Sequence, residues 1–126
     1  MIKSVFASLW LILVTVLLTL PGSAFPKENW LDQLWMDKWI HIFLFAVLVF
    51  LWTMAVGKKN PTAYRMRILL IVLGVSGLTY GTGMEFIQQY FVENRSFDGG
   101  DILADGAGSL LGCIMGWYRY KKNKPL

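Results

Sequence analysis

Residues 39–56 read WIHIFLFAVLVFLWTMAV, an apolar run of 18 residues without Asp, Glu, Lys or Arg. A membrane-spanning helix needs roughly 17–25 consecutive apolar residues, so this stretch predicts a transmembrane helix. Three further stretches qualify, at about 4–20, 68–84 and 102–118. The sequence therefore predicts an all-α fold, an integral membrane bundle of four transmembrane helices that forms a single domain over residues 1–126.

The composition argues against a soluble protein and against a nucleic-acid binder. The chain is 56% apolar and only 16% charged, which would leave too much hydrocarbon facing water in a soluble domain. The net charge of +4 would suit nucleic acid, but the basic residues gather beside span ends, where anionic cytoplasmic lipid attracts them. We therefore expect membrane lipids, and no nucleic acid, as partners.

Basic and acidic residues are sorted between the segments that the spans separate. The two termini and the 57–67 segment carry nine basic residues and no acidic one, whereas the rest of the chain carries three basic and all eight acidic residues. Lys and Arg are retained on the cytoplasmic side of a membrane. We therefore predict a multi-pass protein of the cytoplasmic membrane with both termini in the cytoplasm and with 21–38 and 92–101 outside.

The segment before the second span carries two further predictions. Lys3, the run 5–20 and the small residues 22–24 also resemble a secretory signal peptide, so residues 1–24 are either a span or a cleaved leader. After Pro21 and Pro26, apolar residues recur at helical spacing. They predict a short amphipathic helix on the outer surface, with an apolar face of Trp30, Leu31, Leu34 and Trp35.

Small residues mark the faces on which helices can approach closely in lipid. The last span has one at every fourth position, and the third span has three glycines on one face; these are Ala104, Gly108, Gly112 and Gly116, and Gly74, Gly77 and Gly81. We predict that spans three and four pack together along these two faces. The face on span four could equally join two protomers in a homo-oligomer.

Polar side chains converge on the predicted outer ends of three spans. Ionisable residues within a span are costly, so they indicate a functional site by default. They lie at the start of the second span, at the end of the third, in the loop that follows and at the start of the fourth. The candidate ligand-binding residues are Asp37, Lys38, His41, Glu85, Gln88, Arg95, Asp101 and Asp105.

Several of these positions also have structural interpretations. Asp98 or Asp101 could cap the last helix, and Asp98 is the better placed of the two. Lys38 could extend to lipid headgroups or form an ion pair with Asp37.

A metal site has weak support in the sequence. His41 is not a zinc signature, because no second His or Cys is spaced to join it. Glu85, Asp101 and Asp105 could hold a hard cation, although the chain has no recognised calcium loop. We predict neither a metal nor a cofactor.

Four motifs occur in a fixed order along the chain. They are Asp37-Lys38-x-x-His41, Glu85-x-x-Gln88, then Arg95, and Asp101 before Asp105-x-x-Gly108-x-x-x-Gly112. This set resembles the VanZ-like family of small bacterial membrane proteins over residues 20–118. The resemblance implies a bundle of membrane helices in the bacterial cell envelope and a link to resistance against the glycopeptide antibiotic teicoplanin. Asp105 departs from the family, which commonly has Asn at this position.

Three functions fit these residues. The first is a non-enzymatic module whose outer-leaflet site recognises an anionic lipid headgroup, a lipid-linked wall component or a lipoglycopeptide, with Arg95 and Lys38 supplying the attraction. The second is an intramembrane enzyme acting on a lipid headgroup, with Glu85 or His41 as general acid or base. The third, a transporter or proton path, ranks last because the inner halves of the predicted spans two to four contain no Asp, Glu, Lys, Arg or His. We favour binding over catalysis.

Overall fold

The computed structural model describes residues 1–24 and 30–124, and in this part of the chain the fold is entirely helical. Four α-helices follow one another: α1 (Ile2–Thr19), α2 (Trp30–Val56), α3 (Ala63–Phe91) and α4 (Gly99–Lys122). A 3-10 turn, Gly22–Ala24, follows α1. The predicted all-α fold is confirmed.

Local sequence sets the ends of these helices. α1 ends at Thr19, and Leu20 is extended (ψ 139°), as is usual for a residue that precedes a proline. The side chain of Thr62 accepts a hydrogen bond from Arg65 N (3.3 Å) and caps α3. Asp98 caps α4 by accepting from Gly100 N (2.8 Å), so the predicted choice of Asp98 as the cap is confirmed.

Three helical segments of the described chain are long and apolar enough to cross a membrane, Ile2–Thr19, Met36–Val56 and Ala63–Phe91. They indicate a membrane protein. α4 is not among them, because its glycines, Asp101, Asp105 and Ser109 lower its hydropathy. Of the four helices expected to be apolar enough to span a membrane, the described chain has three.

The predicted short helix on the outer surface is not a separate element. α2 begins at Trp30 and continues without a break to Val56. No Gly or Pro lies between these positions, and extending an existing helix is much easier than starting a new one. The predicted apolar face of Trp30, Leu31, Leu34 and Trp35 lies outside the described side chains.

Gly108 and Gly112 of α4 contact α2 rather than α3, whereas Gly116 contacts both helices. Gly108 lies against the backbone of Ile42, Gly112 against Ala46 O and Val49, and Gly116 against Thr53 and Leu70. The numbers rise together, so α2 and α4 run in the same direction. The α4 face predicted to meet span three, or a second protomer, is therefore covered largely by α2 of the same chain.

The glycines of α3 do face α4, as predicted. Gly74, Gly77 and Gly81 lie against Cys113, Ser109 and Asp105, respectively. The two helices therefore run antiparallel, and α4 presents neighbouring stripes to α2 and α3. The choice of partner depends on how α4 is rotated about its axis, which the spacing of small residues does not specify.

α1 packs on α2 and α3 around an apolar core of Val14, Leu18, Leu44, Phe45, Leu48 and Met84. Polar contacts from α2 and α3 also hold it in place. Trp10 Nε1 donates to Leu44 O (3.0 Å), and the hydroxyls of Thr15 and Tyr80 lie 2.6 Å apart. Large apolar side chains such as Phe43, Ile71, Val75, Leu110 and Ile114 are exposed around the bundle, as expected of a surface that faces lipid.

Candidate functional site

The first turns of the membrane-spanning part of α2, the last turns of α3 and the first turns of α4 meet at one end of the bundle. Because α2 and α4 run in the same direction and α3 runs against both, their polar ends coincide. The structure gathers six of the eight predicted site residues there, together with Asp98. We call this group the polar cluster; it consists of Asp37, Lys38, His41, Glu85, Asp98, Asp101 and Asp105.

Lys38 joins α2 to the start of α4. Its Nζ donates to Asp98 Oδ2 (2.5 Å) and to Asp101 Oδ1. The Asp101 side chain is only 5% exposed, so this ion pair is largely removed from solvent. Lys38 therefore does not simply extend to headgroups, and its pairing partners are on α4 rather than the Asp37 considered from the sequence.

His41 is the centre of the buried part of the polar cluster. Its Nδ1 lies 2.7 Å from Asp105 Oδ1, and the two side chains are 3% and 1% exposed. Its other ring nitrogen, Nε2, lies 3.7 Å from Asp101 Oδ2 and 3.9 Å from Asp37 Oδ1. Asp105 thus fixes the orientation of the imidazole and directs Nε2 toward two further carboxylates.

Asp98 belongs to the polar cluster, although the sequence indicated only a helix cap. Besides capping α4 and pairing with Lys38, its backbone N donates to Glu85 Oε2 (3.0 Å) and so joins α4 to α3. The hydrogen bond from Lys38 holds the pKa of Asp98 below its ordinary value. Its spacing of three residues from Asp101, which places both on one helix face, was the signal that could have identified it.

Gln88 and Arg95, the other two predicted site residues, hold the end of α1. Gln88 is buried and its Nε2 donates to Leu18 O (2.8 Å). Arg95 Nε donates to Leu20 O (3.3 Å), and Arg95 is close enough to act electrostatically on Asp37. Both residues lie beside the polar cluster and link it to α1.

The side chains able to hold a metal differ from the set considered from the sequence. In the described part of the chain, Asp37, His41 and Asp101 each offer a ligand atom, and these atoms lie within 4.8 Å of one another. Glu85 and Asp105 instead contact Asp98 N and His41 Nδ1. The candidate ligand set therefore mixes one imidazole with two carboxylates.

A cavity of about 760 Å³ opens at the opposite end of the bundle. Its lining includes five basic residues and no acidic one: Lys3, Lys58, Lys59, Arg119 and Lys124. These residues belong to the termini and to the 57–67 segment, which the sequence already distinguishes by their basic charge. One end of the bundle is thus mainly acidic and the other basic.

The polar cluster contains five carboxyl groups and a single permanently charged cation, Lys38. His41 belongs to the cluster as well, and Arg95 lies next to it. Such a site can bind a cation, exchange protons or orient a polar headgroup. The chain matches no protein-family model, no curated protein and no solved structure.

Proposed function

We propose that this chain is a VanZ-like protein of the bacterial cell envelope whose polar cluster recognises the anionic headgroup of a lipid or a lipid-linked wall component at the outer leaflet. The observation that carries the proposal is the convergence of α2, α3 and α4 on one group of buried, interconnected polar side chains. A membrane protein rarely buries such residues without a functional reason. The link to teicoplanin resistance that the resemblance implies would follow from recognition of a wall precursor or of the lipoglycopeptide itself.

The proposed orientation places the polar cluster outside, both termini in the cytoplasm and α4 across the membrane as a fourth span. α4 has 24 residues and is therefore about 36 Å long, enough to cross the hydrocarbon layer. The residues that lower its hydropathy, Asp101, Asp105 and Ser109, are buried against other helices, whereas Leu110 and Ile114 are exposed. The side of α4 that would face lipid is thus apolar.

The basic side chains in and beside the polar cluster, Lys38 and Arg95, are suited to bind a phosphate or carboxylate group. The Lys38 ammonium has three donors. Within the described part of the chain, Asp98 and Asp101 accept from two of them, and a ligand could accept from the third. Arg95 is oriented by its bond to Leu20 O, and its guanidinium offers the forked geometry that matches phosphate and carboxylate groups. The surrounding carboxylates would hold both cations in position.

An enzyme acting on a lipid headgroup is the second candidate, and the buried His41–Asp105 pair favours it. A carboxylate that orients an imidazole is a recurrent arrangement in acid–base catalysis. Glu85 is the other candidate acid or base, because its side chain lies 1% exposed in the polar cluster. The described residues assign no nucleophile to this reaction.

Native mass spectrometry of the purified chain tests recognition directly. We expect a defined anionic lipid to accompany the wild-type protein and to be lost in Arg95→Lys. This substitution retains the positive charge but removes the paired hydrogen bonds that a guanidinium group donates. Arg119→Lys, at the other end of the bundle, is the matched control and should retain the lipid. Absence of any defined anionic lipid, or equal loss in both variants, would overturn the proposed recognition.

Cellular susceptibility to a lipoglycopeptide distinguishes binding from catalysis. A binding module should suffer more from Arg95→Lys than from Glu85→Gln, because Gln still accepts the hydrogen bond of Asp98 N. An enzyme with Glu85 as general base should instead lose its effect almost completely in Glu85→Gln, and should turn over an added lipid. Glu93→Gln, an exposed position, is the control. If neither variant changes susceptibility or lipid composition, the polar cluster is purely structural.

A further inference from the structure

We propose that Asp37, His41 and Asp101 form a binding site for one divalent transition-metal ion, with Asp105 as the residue that positions His41. The proposal is independent of lipid recognition, because it concerns an ion held by the protein alone. It rests on the geometry of the three ligand atoms, on the orientation of the imidazole and on the charge of the surroundings.

The three ligand atoms are nearly close enough to share an ion. Two atoms that each bind zinc at about 2.1 Å in a tetrahedral arrangement lie roughly 3.4 Å apart. His41 Nε2 is 3.7 Å from Asp101 Oδ2 and 3.9 Å from Asp37 Oδ1. All three ligand atoms lie within 4.8 Å of one another, so closing on an ion requires movements of up to about 1.4 Å. Asp37, whose side chain is 36% exposed, has room to make them.

The orientation of the His41 imidazole is a second indication of a metal site, besides the group of acidic side chains. Its Nδ1 contacts Asp105 Oδ1 at 2.7 Å, while its Nε2 makes no hydrogen bond within the described part of the chain, although the side chain is only 3% exposed. With the proton on Nδ1, the lone pair of Nε2 points between Asp37 and Asp101. Metal-binding histidines almost always donate their other ring N–H to such a carboxylate or to a backbone carbonyl.

The charges around this site favour a bound cation. Lys38 contacts Oδ1 of Asp101, and the other oxygen, Oδ2, is the one that faces His41. Asp37, Glu85 and Asp105 add further carboxyl groups to a region of low dielectric constant, where an excess of negative charge is costly. A divalent ion between Asp37 and Asp101 would offset that excess.

The donor set indicates the class of ion. One imidazole with two carboxylates suits zinc or manganese better than magnesium or calcium, which prefer oxygen ligands alone. Three protein ligands leave at least one coordination position for water or for an oxygen of a bound molecule. This is the arrangement of reactive metal sites rather than of closed structural ones.

Zinc binding by the full chain tests the proposal. The protein is purified in detergent with an affinity tag that contains no histidine, treated with a chelator and dialysed against buffered Zn²⁺ without added lipid. Bound zinc is then counted by elemental mass spectrometry. We expect about one ion per chain, because the geometry provides a single mixed nitrogen and oxygen ligand set. Mg²⁺ should not displace it.

Substitutions separate ligation from general electrostatic attraction. Asp37→Asn and His41→Gln should weaken zinc binding by more than about tenfold, and Asp105→Asn by roughly 10–100-fold through the orientation of His41. Glu93→Gln, the matched control, removes one negative charge at an exposed position outside the polar cluster and should change the affinity by less than about threefold, because the ligand atoms and the side chains that hold them are intact.

Two results would overturn the metal site. One is absence of zinc from the chelator-treated wild type at micromolar free Zn²⁺. The other is equal weakening by Asp37→Asn and Glu93→Gln, which would show attraction by charge without ligation. Gel filtration and circular dichroism of the helices verify that each variant folds. Asp37→Asn is expected to fold, because the Asp37 side chain is 36% exposed and is not part of the apolar core.

Discussion

Gly81 in α3 lies directly against the carboxylate of Asp105 in α4. A Cβ atom at position 81 would approach Asp105 Cβ and Cγ to 2.8 Å, a distance that real side chains do not adopt. Asp105 Oδ1 in turn lies 2.7 Å from His41 Nδ1 in α2. A glycine in one helix thus determines where the carboxylate of a second helix meets the imidazole of a third.

Gly81→Ala should destabilise the bundle, whereas Gly83→Ala should not. The added methyl group at position 81 must displace Asp105, and overpacking of this kind costs about 1–3 kcal/mol. A Cβ at Gly83 meets nothing within 4 Å, so Ala there should raise stability by up to about 1 kcal/mol through helix propensity. Thermal unfolding in detergent measures both; equal behaviour of the two variants would contradict the contact.

Asp105→Leu should be more harmful than Asp105→Asn. Leu leaves His41 Nδ1 buried without a partner, which costs about 1–3 kcal/mol, whereas the Asn carbonyl can still accept from Nδ1–H. We expect a clearly lower unfolding free energy for Leu and a smaller loss for Asn, measured by denaturant or heat. If Leu is tolerated as well as Asn, the His41–Asp105 hydrogen bond contributes nothing to stability.

The pairing of Asp98 with Lys38 should make stability depend on pH in the acid range. Because this hydrogen bond lowers the pKa of Asp98 below 3.8, the group stabilises the folded state fully above pH 3.8 and the contribution is lost as pH falls through the lowered pKa. The wild type should therefore lose more stability on acidification than Asp98→Asn does. Glu93→Gln should follow the wild-type curve; coincidence of the Asp98→Asn and wild-type curves would contradict the pairing.

The proposed orientation predicts which positions an impermeant thiol reagent reaches from outside the cell. Cys113→Ser provides a background without cysteine and keeps a donor for Leu70 O, which Cys113 Sγ contacts at 3.2 Å. In that background, Asn94→Cys should react in intact cells, whereas Asn60→Cys and Asn123→Cys should react only after lysis. External labelling of Asn123→Cys with none at Asn60→Cys would show that α4 does not cross the membrane.

Much of the candidate site followed from the sequence because polar residues at the ends of apolar runs are conspicuous. Asp37, Lys38, His41, Glu85, Asp101 and Asp105 do meet in the folded chain. Asp98 was not predicted to belong to the polar cluster, because its position in the sequence was already explained by its role as the cap of the last helix. The links from Gln88 and Arg95 to the end of α1 were also missed, because α1 offers only backbone carbonyls there and these carry no sequence signal.

Short stretches of the amino-acid sequence were enough to predict the apolar helices, their approximate ends, the Asp98 cap and the segregation of charge between segments. Hydropathy and capping are local, so the residues concerned suffice to establish them. The folded chain was needed to show that Gly108 and Gly112 pack on α2, that Gly81 packs on Asp105 and that His41 Nε2 faces Asp37 and Asp101. These relationships depend on the rotation of each helix about its axis, which is set by the simultaneous packing of all four helices.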